Sequence, residues 1–201
     1  MKVVYPTMEG LMQAVAYLRK GEVVAYPTET VYGLAVDPTS EEALQRLFNV
    51  KGRAETNPVL MIISGVLQLQ MLVGKIPETT ERLISAFWPG PISMLFPRPD
   101  GLPKMLSADT NKICLRCPAT SVARDLCRYF GGPLTSTSAN ISGHEPARSV
   151  DELHVPGVSL GIEGGEINVL PPSTIYDPDT DTILREGPIT RSMIDKVLER
   201  I

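Results

Sequence analysis

Three short stretches hold residue types suited to chemistry on a polyanion or a small polar molecule. The first, VKGRAETNP (50–58), sets Lys51 and Arg53 on either side of Gly52, just ahead of Asn57 and Pro58. A cation in the last turn of a helix offsets the negative end of the macrodipole, which accounts for Lys51 but not for Arg53. With Gly52 stopping the helix, both side chains reach one space beyond it, and Arg53 offers a planar fork to phosphate oxygens. The alternative is solvated surface charge. The second stretch, YPTETVYGL (26–34), supplies Thr28, Glu29, Thr30 and Tyr32. They supply hydroxyls and a carboxylate directly after a strand, and Gly33 permits close backbone approach; the alternative is an ordinary polar strand-to-helix loop. The third, TSTSANISG (135–143), is dense in small hydroxyls and carries Asn140. A core would have to satisfy every one of those polar groups, so the density favours a site over a serine-rich turn.

The elements that must position these residues follow from hydrophobic period. LMQAVAYLRKG (11–21) has a helical apolar face, with Thr7 as a cap and Gly21 as a stop, and EVVAYP (22–27) reads as a buried strand. SEEALQRLFNVKG (40–52) opens with a capping serine and two glutamates and repeats apolar residues at helical spacing until Gly52. PVLMIIS (58–64) predicts a strand covered on both faces. Helices are predicted over 66–73, 78–87 and 121–130, and strands at ISMLF (92–96), KICLRC (112–117) and around PLTSTS (133–138). Short strands near VSLGI, STIYD and TILRE precede a last helix from about Thr190. Helices and strands in this alternation give an α/β domain with a mixed sheet, whose ligand sites belong at element ends.

At 201 residues the chain predicts one domain, 1–201, and no apolar run approaches the roughly 18 residues of a membrane span. The opening MKVVYPTMEG lacks the apolar core of a secretory signal, so a cytoplasmic location is the default. Three cysteines argue against a disulfide framework, and CLRC (114–117) reads as strand, with Cys114 as apolar filler, rather than as a metal or redox pair. A formal net charge of −4 excludes broad attraction to nucleic acid but leaves room for a local basic groove. Trp88 reads as a packing residue, and His144 as a bystander rather than a base. The sequence has no G-x-x-x-x-G-K-[ST], no G-x-G-x-x-G after a strand, no H-E-x-x-H and no G-x-S-x-G, so a nucleotide would be held by another arrangement.

In their order and spacing, PTETVYGL, KGR followed by NP, and STSANISG resemble the YrdC family, and the resemblance runs from about Val23 to ILREGPIT (183–190). It implies an α/β fold with a twisted, open mixed sheet flanked by helices, a concave, positively charged groove, and the family's short, single-domain type. The implied activity is L-threonylcarbamoyladenylate synthesis. L-threonine, bicarbonate and ATP give threonylcarbamoyl-AMP and pyrophosphate, for N6-threonylcarbamoyladenosine formation in tRNA.

Carried over by position, Lys51 and Arg53 are the implied catalytic pair and ATP contacts, joined at ATP by Asn57, Asn140, Arg148 and Arg185. Thr30, Arg116, Ser138 and Ser173 are the implied threonine contacts, with Arg116 meeting the carboxylate. Magnesium is expected with ATP, Glu29 being a ligand candidate by proximity alone. The implied partners are a downstream threonylcarbamoyl-transferase complex and weakly bound tRNA. The departures are Ile62, where many members have histidine, Lys112, where a small hydroxyl residue is common, and Pro172, which replaces a glutamate. The alternatives are a divergent branch of the same fold, a non-catalytic module binding tRNA or double-stranded RNA, and a carbamoyl-transfer domain of a larger maturation protein.

Overall fold

A computed structural model describes residues 1–52, 58–168 and 171–198 of the chain. In chain order the elements are β1 (Lys2–Val4), α1 (Met8–Leu18), β2 (Val23–Pro27), β3 (Tyr32–Ala35), α2 (Glu41–Lys51), β4 (Leu60–Ile62), α3 (Val66–Val73), α4 (Glu78–Phe87) and β5 (Ile92–Pro97). There follow two short 3-10 turns, then β6 (Lys112–Arg116), α5 (Ser121–Phe130), β7 (Leu134–Thr135), β8 (Thr137–Ser138), β9 (Val158–Ile162), β10 (Thr174–Asp177), β11 (Thr182–Arg185) and α6 (Arg191–Leu198).

The helices begin and end where local chemistry dictates. Thr7 Oγ1 accepts from Gly10 N at 3.2 Å to cap α1, whose buried Leu11, Ala14, Val15 and Leu18 form one stripe. That helix stops at Leu18, one turn before Gly21, because Arg19 N and Gly21 N already close the last turn on Val15 O and Leu18 O. Ser40 Oγ accepts from Ala43 N at 3.2 Å to cap α2, and Gly52, at φ +57°, ends it in the left-handed conformation that a side chain disfavours.

The fold is mixed α/β as expected, with the strands sorted into two sheets where the sequence suggests one. The first sheet runs β1-β9-β2-β3-β8 and the second β11-β10-β5-β6-β4-β7. Both mix parallel and antiparallel pairs: β1 and β2 run parallel to β9, while β3 runs antiparallel to β2 and β8. In the second sheet β10 is parallel to β5 and β4 to β6, the remaining pairs being antiparallel. Residues alternate between two cores. Val23, Ala25, Tyr32 and Leu34 face the larger one, shared with α2, α4 and the second sheet, while Val24, Tyr26 and Ala35 face the one under α1 and α5.

Two stretches depart from expectation. YPTETVYGL is a hairpin, because Thr28 Oγ1 accepts from Thr30 N and Val31 N and donates to Val31 O at 2.5 Å, turning β2 straight into β3. PLTSTS holds two strands: β7 pairs with β4 in the second sheet and β8 with β3 in the first. The switch at Ser136 is bolted on both sides. Ser136 N donates to Leu60 O at 2.7 Å, Tyr26 Oη donates to Ser136 Oγ at 2.6 Å, and Val36 N donates to the buried Thr135 Oγ1 at 2.8 Å.

Replacing Thr135 by valine keeps the shape and strands the Val36 amide. The Thr135→Val protein is expected to lose about 1–3 kcal/mol of unfolding free energy, read as a lower denaturant midpoint at unchanged slope. An unchanged midpoint would show the bolt to be dispensable.

Candidate active site

Lys51 sits where the apolar stripe of α2 runs out. Ala43, Leu44, Leu47 and Phe48 face the core, and the same period turns Lys51 inward to 3% exposure. A buried ammonium needs oxygen around its protons. The chain after β8 provides it: Nζ lies 2.6 Å from Ser138 O, 2.9 Å from Asn140 O and 2.7 Å from Asn140 Oδ1. Ser138 Oγ donates to the same Oδ1 at 2.7 Å, Asn140 Nδ2 donates to His144 O at 2.5 Å, and Ser142 N returns to Lys51 O at 2.9 Å. Helix end and loop, 87 to 89 residues apart in sequence, form one hydrogen-bonded unit.

Beside this unit lies a hollow of about 640 Å³, within the range of small-molecule sites. The first sheet and its turns give it Thr28, Thr30, Tyr32, Gly33, Thr137 and Ser138; the second gives it Leu60, Leu95, Ser173 and Ile175. Lys112, Cys114 and Arg116, alternate residues of β6, line it in a row, and Arg185 of β11 closes one flank. A second hollow of about 610 Å³, lined by Glu29, Pro91, Ala119, Pro171 and Pro188, shares Thr30 with it.

The cations of the main hollow are held differently. Arg116, 7% exposed at its side chain, donates from Nε to Gly90 O at 3.0 Å and from Nη2 to Glu29 Oε1. Arg185 donates from Nε and Nη2 to Ser173 O at 3.0 and 2.8 Å and from Nη2 to Ser173 Oγ at 3.2 Å, and no carboxylate among the described residues meets it. Burial pulls the Arg185 guanidinium below its ordinary value, and the Arg116 charge adds to that pull. Ser93 Oγ, 3.0 Å from Ser173 Oγ, backs that serine from beneath. Lys112 is ringed by Asp177 Oδ1 and Oδ2, both at 2.8 Å, and by Asp179 Oδ2 at 3.0 Å. Burial pushes the Cys114 thiol up to about 12, so it lines the wall as an inert group.

The hollow thus brings together Thr30, Arg116, Ser138, Ser173 and Arg185, with Lys51 and Asn140 joined to it through Ser138. Arg148 stands apart, exposed and paired with Glu152 at 3.4 Å. Arg53 and Asn57 lie outside the described residues. Ile62 is 2% exposed in the core under α1 and α5, so that position packs the fold. Gly33 serves a close approach of another kind: a Cβ there would stand 2.9 Å from the Tyr26 ring. His144 is exposed, and Trp88 packs on Phe96 while Nε1 donates to Ile92 O at 2.8 Å. Sequence reasoning missed Glu29 as the partner of Arg116, a contact across 87 residues that no local pattern announces.

The chain and its fold are similar to known proteins. The model of the Sua5, YciO and YrdC family, described as telomere recombination, matches residues 16–187. The threonylcarbamoyl-AMP synthase of Pyrococcus abyssi is 35% identical over 193 residues, covering 94% of this chain and 57% of the relative. That of Methylobacillus flagellatus is 38% identical over 178 residues, covering 84% of this chain and 95% of the relative. The crystal structure of P. abyssi Sua5 complexed with L-threonine superposes with a TM-score of 0.89 at 32% identity, covering 100% of this chain and 60% of that one. The chain therefore spans little more than half the length of some curated relatives that it matches.

Burial opposes ionisation of Asp177, but hydrogen bonds from Lys112, Asp179 N and Thr180 outweigh it and hold the carboxyl below its ordinary value. A depressed carboxyl stabilises the fold above its unfolded-state value and loses that share as pH falls. Lys112→Met is accordingly expected to lower the thermal midpoint at pH 7, with the gap to wild type narrowing below about pH 4. A gap independent of pH would assign the loss to packing instead.

Proposed function

The chain belongs to the Sua5, YciO and YrdC family, and from that premise we propose that it is a threonylcarbamoyl-AMP synthase. It joins L-threonine, bicarbonate and ATP, releases pyrophosphate, and so acts as a nucleotidyltransferase whose product is carried onto tRNA by a separate transferase complex. Use of the product on tRNA makes the cytoplasm its place of work. The observation that carries this reading is the buried Lys51 ammonium locked to Ser138 and Asn140 beside a hollow lined by Arg116 and Arg185.

The chemistry asks for positioning and charge stabilisation more than for covalent help. The threonine amine takes up bicarbonate to give a carbamate and water. A carbamate oxygen then bonds to the α-phosphorus in line as the bond to the β-phosphate oxygen breaks, and pyrophosphate leaves. In this proposal Arg116 receives the threonine carboxylate, with Thr30, Ser138 and Ser173 supplying hydroxyls. Arg53 holds the triphosphate, and Lys51, whose Nζ protons are directed at loop oxygens, opposes the growing charge through its field and by fixing the Ser138–Asn140 loop. Asn57, Asn140 and Arg185 flank the nucleotide, and Arg148 reaches it from outside the hollow. Lys51 Nζ is already fixed by its loop oxygens, so little reorganisation accompanies the reaction.

Magnesium belongs to the proposal as the companion of the phosphates. Among the described residues no group of three or more metal-type side chains converges, and Glu29 is committed to Arg116, Ala119 N and Thr120 Oγ1. That suits an ion which keeps most of its waters and is held through phosphate oxygens.

The expected result is pyrophosphate release from ATP that requires both L-threonine and bicarbonate. Lys51→Ala, shown to be folded by its circular dichroism, is expected to lower the rate at least about a hundredfold, the scale of losing one preorganised charge stabiliser. Folded wild-type protein with no threonine-dependent release would refute the synthase reading.

A further inference from the structure

We infer that Glu29, which lines the adjoining second hollow, is a specificity-determining residue for the main one: paired with Arg116 of the main hollow, it reserves that guanidinium for a monocarboxylate and turns polyphosphate away from it. The inference rests on the reading of the hollow as a joint site for an amino acid and a nucleoside triphosphate.

Among the described residues two guanidiniums serve the hollow, and a triphosphate would be drawn to either. They differ in compensation. Glu29 holds Arg116 through Oε1, which also accepts from Ala119 N at 2.9 Å, while Oε2 accepts from Thr120 Oγ1 at 3.2 Å. These contacts fix the carboxylate between the β2–β3 turn and the start of α5. With side chains only 7% and 16% exposed, the pair is poorly screened by water. Arg185, in contrast, meets neutral Ser173 oxygens and no carboxylate among the described residues.

The pair at Arg116 has no net charge, yet Nε and Nη2 alone are engaged in its described bonds, which leaves Nη1 for a ligand. An amino acid arrives as a zwitterion. Its carboxylate can take Nη1 while its ammonium offsets the repulsion from Glu29. A polyphosphate brings several negative charges to the same carboxylate with nothing to offset them, and the penalty grows with each charge. At Arg185 no such penalty applies. The two ligands are thereby sorted within one cavity by a single carboxylate, before any contact specific to threonine or adenine is made.

Tripolyphosphate is the probe. In wild type it is expected to inhibit formation of threonylcarbamoyl-AMP competitively against ATP and not against L-threonine. Glu29→Gln keeps the size and an acceptor for Arg116 but removes the charge. In that variant tripolyphosphate should become competitive with L-threonine as well. Its affinity by calorimetry should rise about tenfold or more, the scale of relieving one close like-charge contact. Adding Arg116→Ala to Glu29→Gln should abolish the gain, which a merely structural glutamate would not predict. An unchanged inhibition pattern and affinity in Glu29→Gln would overturn the inference. A second arm leaves Glu29 intact: Arg185→Ala should weaken tripolyphosphate binding and spare L-threonine binding, and the reverse outcome would equally overturn it. If wild type makes no threonine-dependent product, the synthase reading fails, and the tripolyphosphate calorimetry still decides the role of Glu29.

Discussion

A lysine ammonium at 3% exposure imposes its own surroundings. Removing such a charge from water is tolerable only where oxygens replace the lost hydration, and much of the site geometry follows from that need. The apolar stripe of α2 delivers Lys51 to the interior, and Gly52 lets the chain leave without a further turn of helix. The loop after β8 must then arrive with two carbonyl oxygens and a side-chain amide oxygen aimed at one point. The short strand β8 holds that loop by pairing Ser138 with Gly33, and Gly33 is admitted there because the Tyr26 ring leaves no room for a Cβ. One charge thus ties a helix terminus, a loop and a hairpin into a single geometry.

The remaining cations are handled case by case. Lys112 is surrounded by two aspartates, Arg116 shares its charge with Glu29, and Arg185 relies on serine oxygens. A cavity with every cation neutralised would hold anions weakly, and one with none neutralised would hold them indiscriminately. Among the described residues, Lys112 and Arg116 have carboxylate partners and Arg185 has serine oxygens instead.

Much of this was legible in the sequence where order is local. The spans of α2, α3, α4 and α5 follow from caps, glycine stops and helical period, and Thr7 and Ser40 cap as their types predict. Lys51, Ser138 and Asn140, to which the resemblance gives separate ligand contacts, are hydrogen-bonded to one another in the fold. What escaped depends on distant partners. Tyr32–Ala35 is buried at every position, so β3 shows no alternation to distinguish it from a loop. Lys2–Val4 becomes a strand only because β9, more than 150 residues later, lies alongside it. The division of PLTSTS between two sheets hangs on Ser136, whose partners Leu60 and Tyr26 are equally remote. Glu29, in sequence a magnesium-ligand candidate by proximity alone, has its guanidinium partner on another sheet.

The crossing of the chain from one sheet to the other at Ser136 also bears on how the molecule is assembled. Each sheet takes two residues of a five-residue segment at its edge, so placing that segment fixes the two sheet edges next to each other. The walls of the hollow are finished later still, because Ser173, Ile175 and Arg185 follow that segment in the chain. A nascent chain lacking that segment has neither a finished sheet nor the loop oxygens that surround Lys51 after β8.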